Sequence, residues 1–280
     1  MDQYLQENNF IFYQPLFKNC TVNFEQQMIF SPSQMRFYHF YMPPSYLEKT
    51  VFNCVPDGCV DMIFIYNDRD YMVEFVGSTV SRKILKSYPG YSYFGLRLKP
   101  GMFVALDDVS LAEVTDSEIL YTSKDIDLTD FIERLKQLHT LQDKIDLFLK
   151  EFADSLTATF ITDPVRNILC KINDVKGNIS VADLAKDQCY SERQISRLME
   201  SQINIGPKML CRIVRFQNAL HSMINRPGRE TLEYIAGLNY ADQSHFQREF
   251  KEFTGLTPQQ FVKNFKNETL RPHIFGRKTG

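Results

Sequence analysis

No stretch of the chain approaches about 18 uninterrupted apolar residues, so no membrane-spanning helix is expected. The first residues, MDQYLQENNF, lack the basic and apolar regions of a secretion signal. The six cysteines, at 20, 54, 59, 170, 189 and 211, are scattered and form no C-x-x-C, which reads as buried, reduced thiols in a cytoplasmic protein. No H-x-H occurs, and residues 1–163 contain only His39 and His139, so the metal cluster of a cupin-type enzyme is missing. No G-x-S-x-G, P-loop or Rossmann glycine pattern is present either. The expectation is a chain that is not an enzyme and needs neither metal nor cofactor.

What is present is a sharp division of charge. The 280 residues, enough for about two domains, carry a net charge of only −2. Residues 1–163, however, hold 14 Lys or Arg and 23 Asp or Glu, a net of −9, while residues 164–280 hold 18 and 11, a net of +7. Only the C-terminal part is therefore suited to meeting a polyanion. With 44% hydrophobic and 24% charged residues, the chain has a globular composition.

The front reads as strands. MRFYHFYM, CVDMIFIY, YMVEFVG and YSYFGLRL are short aromatic and β-branched runs separated by turn material at Pro43-Pro44, Pro56-Asp57-Gly58, Asn67-Asp68 and Pro100-Gly101. Such spacing predicts a small barrel or sandwich. Tyr38, Tyr41, Phe64, Tyr66, Tyr93 and Arg97 are strand residues that either line a cavity or belong to the core and surface. Arg97 suits either an anionic effector or an internal ion pair.

From Leu128 the period becomes helical. Phe131, Ile132, Leu135 and Leu138 form one stripe; Leu141, Ile145, Phe148, Leu149 and Phe152 form another. Two readings stand for these helices: packing on their own barrel, or a dimer contact. Beyond Asp163 every segment reads as helix. Asp163-Pro164, Ser180, Ser191 with Gln194, and Pro207 supply starts, while Gly177 and Pro227-Gly228 supply stops.

The basic half repeats itself without gaps at an offset of 51. Leu184-Ala185 aligns with Ile235-Ala236, Ser191 with Asp242, Arg197 with Arg248, and Pro207 with Pro258. Each copy reads as a short helix, a tight turn and a second helix, the helix-turn-helix arrangement whose second helix enters the DNA major groove. With Ile195, Leu198 and Met199 inward, the first recognition helix exposes Arg193, Gln194, Ser196 and Arg197. With Phe246, Phe250 and Phe253 inward, the second exposes Gln243, Ser244, His245, Gln247, Arg248 and Lys251. Arg suits guanine O6/N7 and Gln suits adenine N6/N7. Lys208, Arg212, Arg215 and Lys263 are candidate phosphate partners, and the helix starts after Ser191, Pro207 and Thr257 candidate phosphate cradles. His245 has no second His or Cys at ligand spacing, which argues against a metal role.

The stretches SVADLAKDQCYSERQISRLM, RIVRFQNAL and YADQSHFQREFKEFTGLTPQQF resemble the DNA-binding domain of AraC-type (arabinose-regulator-like) transcription factors. PDGCVDMIF and FGLRLKPGMF resemble the β-rich regulatory domain of one branch of that family. The resemblance implies an α+β chain. A β-rich, cupin-like barrel regulatory domain would occupy residues 1–127, two linker or dimerisation helices 128–163, and an all-α double helix-turn-helix domain 164–280. It implies a bacterial, cytoplasmic regulator, an activator in many relatives, that binds double-stranded DNA. It further implies contact with RNA polymerase, control by an unknown small-molecule effector or by dimerisation, homodimer formation and no membrane partner. The alternative is a cupin-type enzyme or sugar-binding protein fused to a DNA-binding tail. Family turns often carry Gly where this chain has Cys189 and Asn239, and the second turn reads as one residue short, with Gly237 placed to absorb the difference.

Overall fold

The computed structural model of the chain describes residue 14 and residues 21–29, 35–44, 51–102, 111–122, 127–152, 161–225 and 229–267. Cys20 and the Pro227-Gly228 stop lie outside them.

Among the described residues the front holds eight strands: β1 (Val22–Ile29), β2 (Met35–Tyr41), β3 (Val51–Cys54), β4 (Val60–Tyr66), β5 (Tyr71–Val76), β6 (Lys83–Lys86), β7 (Ser92–Leu98) and β8 (Glu118–Leu120). A one-turn helix, α1 (Leu111–Val114), precedes β8, and two longer helices follow it, α2 (Leu128–Lys136) and α3 (Leu141–Phe152). The four aromatic runs become β2, β4, β5 and β7. Six strands pair antiparallel in the order β1-β2-β7-β4-β5-β8, and β3 pairs with β6 as a separate ribbon. The described strands thus make an open sheet and a ribbon rather than one closed ring.

Strand alternation sends successive residues to opposite faces of this sheet. One face, with Phe37, Met62, Phe64, Tyr66, Phe75 and Phe94, is covered by α2 and α3. The other, with Tyr38, Phe40, Ile63, Ile65 and Tyr93, is covered by the ribbon residues Cys54 and Leu85. Four of the suspected cavity residues are therefore core, Phe64 and Tyr66 on the helix side and Tyr38 and Tyr93 on the ribbon side, while Tyr41 is exposed at the strand end.

Helices α2 and α3 pack on their own sheet. Phe131, Leu135, Ile145, Phe148 and Phe152 are fully buried in its core. Phe148 stacks on Phe152 at 4.6 Å and meets Phe37 edge-on at 5.4 Å. The 141–152 stripe offered as a dimer contact is consumed in this packing and presents no free apolar face. Leu138 falls beyond α2, in the connection to α3.

Arg97 resolves to the internal ion pair. Its Nε lies 2.9 Å and its Nη2 3.0 Å from the two oxygens of Asp61, a bidentate pair, and Nη1 is 3.4 Å from Asp57. The Tyr38 hydroxyl donates to Asp61 at 3.1 Å. Burial pushes the Asp61 carboxyl above its ordinary range, an effect Arg97 partly offsets. The Pro56-Asp57-Gly58 segment is a side-chain-braced loop. Asp57 Oδ1 accepts from the Cys59 amide at 2.9 Å, and the amides of Asp57 and Gly58 both donate to the Thr79 carbonyl. Gly58 adopts φ +68°, and a Cβ there would lie 3.1 Å from Pro100.

Seven helices follow among the described residues: α4 (Asp163–Asp174), α5 (Val181–Asp187), α6 (Glu192–Ile203), α7 (Pro207–Asn225), α8 (Arg229–Ala236), α9 (Gln243–Thr254) and α10 (Pro258–Asn267). Helix α4 begins one residue earlier than expected, with Thr162 at the N-cap. The Thr162 amide donates to Gln202 instead of using a side-chain cap, and Pro164 sits in the first turn. Two cores form. Leu184, Ala185, Ile195, Met199 and Leu210 pack with α4, whereas Phe216, Leu220, Ile235, Phe246, Phe250 and Phe253 form the second. Because α7 contributes to both, it is the shared spine of the two units.

The two parts touch through loops. The Gln217 side chain of α7, 1% exposed, donates to the Pro56 carbonyl at 2.6 Å. Val55 belongs to the second helical core, and Val80 packs against the first. Arg82 lies against Gly255, the left-handed residue that ends α9, so closely that a Cβ there would collide with its guanidinium.

Candidate DNA-binding surface

Helices α6 and α9 start at 192 and 243 and end at 203 and 254, so the offset of 51 read in the sequence is a structural repeat. Each is fixed by its cap. Ser191 Oγ accepts from the Gln194 amide, and Gln194 Oε1 in turn accepts from the Ser191 amide at 2.8 Å, a complete capping box. Asp242 accepts from the His245 amide at 2.6 Å. A second box, Thr257 with Gln260, opens α10.

The turns use left-handed residues without glycine. Cys189 has φ 58° and Asn239 has φ 56°. Gly237 is not among the positive-φ residues and only continues the end of α8, its amide donating to Glu233 and Tyr234 carbonyls. The expectation that Gly237 absorbs a shortened turn is therefore corrected: Asn239 makes the reversal. It lies three residues before its N-cap, whereas Cys189 lies two before Ser191, and α9 keeps the register of α6.

In α6, Ile195 and Met199 are buried and Leu198 is half-buried, which leaves Arg193 and Arg197 exposed on one face. Gln194 is exposed, but its carbonyl oxygen is held in the capping box; Ser196 is half-buried. In α9, Gln243, Ser244, Gln247, Arg248 and Lys251 are exposed. His245 is half-buried, meets the Tyr240 ring edge-on at 5.5 Å and takes the Ala241 amide on Nδ1 at 3.4 Å. Phe246, Phe250 and Phe253 are core residues, with Phe253 against Phe216 at 5.1 Å, and do not form an exposed stacking platform.

Between the two motifs runs a groove of about 800 Å³ whose walls include Lys208, Arg212, Arg215, His245, Arg248 and Glu249. Lys208 and Lys263 are exposed as phosphate partners should be. Arg212 and Arg215 are otherwise engaged. Arg212 bonds Glu249 at 2.8 Å and Glu252 at 2.7 Å, and Arg215 lies 3.6 Å from Glu249. Glu249 is 3% exposed and interrupts the apolar face of α9 between Phe246 and Phe250. That interruption is the sequence signal for this carboxylate, a charged residue between two apolar positions of the buried stripe. Among the described residues no group of three His, Cys, Asp or Glu could hold a metal ion, and no helix is long and apolar enough to cross a membrane.

Residues 184–264 match a family described as a helix-turn-helix domain, and residues 36–120 match a domain of unknown function (DUF6597). No curated protein matches the chain in sequence. Among solved structures the chain is similar to an apo variant of ToxT from Vibrio cholerae at 18% identity, with 75% of this chain and 86% of that one covered and a TM-score of 0.43. ToxT from the same organism with bound unsaturated fatty acid is similar at 15% identity over 86% of this chain and 93% of that one, TM-score 0.41. The C-terminal domain of AraT, a response regulator from Geobacillus stearothermophilus, is similar at 17% identity over 43% and 97%, TM-score 0.34.

Proposed function

We propose that this chain, whose β-rich front is followed by an AraC-type helix-turn-helix domain, is a sequence-specific regulator of transcription on double-stranded DNA. One observation carries the reading: two recognition helices in register at an offset of 51, each N-capped and each exposing an arginine on its polar face. Arg193, Arg197, Gln243 and Arg248 read bases, with Gln194, Ser196, Ser244, His245, Gln247 and Lys251 beside them. Joined by one helix, the two units reach successive major grooves roughly 34 Å apart. Lys208 and Lys263 neutralise backbone phosphates.

The division of labour follows the charge. Residues 1–127 regulate, 128–163 connect, and 164–280 bind DNA. In this reading the front domain responds to a small-molecule effector, the protein acts in the cytoplasm as a homodimer, and its output is contact with RNA polymerase. An effector acts only if its affinity differs between two states of the chain.

Fluorescence anisotropy of the full chain on DNA from upstream of its own gene, beside scrambled DNA and across a salt series, tests the central claim. The expected result is a preference of roughly 10³-fold or more, falling steeply with salt. Absence of binding at low salt would overturn it.

A further inference from the structure

The helix that should read the second half of the site is tied to the spine by a buried carboxylate. Glu249, on the inner face of α9, is 2% exposed at its side chain, and Arg212 and Arg215 of α7 converge on its Oε2. Arg212 also reaches Glu252 one turn along α9, and its guanidinium lies 4.9 Å above the Phe253 ring. Arg215 lies 4.7 Å above the Tyr240 ring, just after the left-handed turn residue Asn239. Burial opposes the charge on Arg212, but hydrogen bonds from its guanidinium to Glu249 and Glu252 outweigh that and raise its pKa. One planar fork thus grips two carboxylates of the same helix, a geometry that fixes rotation as well as distance. In the first motif α6 is set by the capping box and an apolar face of Ile195, Met199 and Ile203.

We propose that Glu249 is a positioning residue for base reading by α9: it sets the angle of that helix on α7 and withholds Arg212 and Arg215 from the DNA backbone. The inference rests on the DNA-binding reading above. It deepens that reading by making selectivity at one half of the site depend on a residue that touches no base. It also gives the groove between the motifs a defined charge. With both arginines internally neutralised, Lys208 and Arg248 are the cations left on its rim, so non-specific attraction is kept low.

Selection from a randomised site would be measured with the full chain, using Arg193→Ala to mark the bases read through α6 and Arg248→Ala those read through α9. Glu249→Gln keeps the shape and removes the charge. It should lower preference about tenfold at the α9 bases alone, the scale of one lost base contact. It should also raise affinity for scrambled DNA and steepen the salt dependence by roughly one phosphate per freed arginine. Glu252→Gln removes the outer of the two carboxylates and leaves the Arg212 bond to Glu249, so it should give a smaller loss, again at the α9 bases. A folded Glu249→Gln protein with wild-type preference across the whole site would overturn the proposal. So would an equal loss at both halves that tracks a fall in Tm, because that is ordinary destabilisation. If Glu249→Gln does not fold, Arg212→Lys decides: a point charge cannot bridge both carboxylates, so loss at the α9 bases upholds the role and full retention overturns it. A wild-type chain without any base preference would overturn the DNA reading and this assignment together.

Discussion

Cys189 and Asn239 hold the same left-handed backbone at the reversal of each motif, yet their side chains differ in how easily they sit there. Asn is at home in that region because its short polar side chain bonds locally, whereas Cys gains nothing comparable. With φ at 58° and its side chain exposed, Cys189 carries backbone strain that no packing compensates. Cys189→Gly is expected to leave Tm unchanged or raise it, and Cys189→Val to cost about 1–2 kcal/mol, because branching at Cβ crowds the left-handed conformation. Urea unfolding of the two variants checks this. At the polar faces the expectation concerns affinity. Arg193→Ala or Arg248→Ala should each cost about 1–3 kcal/mol on the specific site and relax one base preference. Equal loss on specific and scrambled DNA in the anisotropy titration would reassign that arginine to a phosphate.

Between elements, the contact of α3 with the sheet mixes rings with charge. His39 of β2 faces α3 and lies 3.3 Å from Glu25 of β1, while Lys144 of α3 donates to the Tyr66 hydroxyl of β4 at 3.0 Å. Burial, then the neighbouring Lys144, push the His39 pKa below its ordinary value, with Glu25 opposing them. A depressed histidine favours the neutral form in the folded chain. Its contribution to stability is complete above about pH 6.5 and is lost as pH falls from there through the lower folded value. His39→Gln should therefore flatten the fall in Tm between about pH 6.5 and pH 5, measured by calorimetry against wild type. An unchanged profile would show that His39 does not couple to folding. The same interface shows what could be read beforehand. β2, β4, β5 and β7 announce themselves by aromatic and branched side chains, and α2 and α3 by their stripes. β1 is half polar, VNFEQQMI, because it is an edge with a bulge after Val22, and β3, β6 and β8 have four residues or fewer, too short for a period to show. Stripe periodicity told which side of α3 is apolar but not what covers it, since a sheet and a second copy want the same side chains. The double motif was legible for the opposite reason: helix caps are local, and the offset of 51 repeated them. The break that Glu249 makes in the apolar face of α9 was legible too, but its partners were not, because they lie 34 and 37 residues away on α7.

At the scale of the whole molecule, the question is how the acidic front and basic back communicate. Domain interfaces of ordinary size permit relative motion unless something specific pins them. Here Pro56 is pinned by Gln217, which sits in the middle of the helix shared by both DNA-binding units. The next residue in that loop, Asp57, pairs with Arg97 inside the sheet, and the amides of Asp57 and Gly58 hang on the Thr79 carbonyl. Three residues beyond Thr79, Arg82 abuts the end of α9. A short path of hydrogen bonds, one ion pair and a few backbone links thus joins the buried charges of the sheet to the spine and to the second recognition helix. Gln217→Leu keeps volume but strands the buried Pro56 carbonyl, an expected cost of about 1–3 kcal/mol. If the loop is what couples the halves, hydrogen exchange at the Asp57 and Gly58 amides should quicken in this variant, because the loop opens without its anchor while β4 and β7 stay protected. Calorimetry should then resolve two transitions where the wild type gives one. A variant with wild-type exchange in that loop and a single unsplit transition would place the coupling elsewhere, in the apolar contacts of Val80 and Val55, and would free Gln217 of any role beyond local packing.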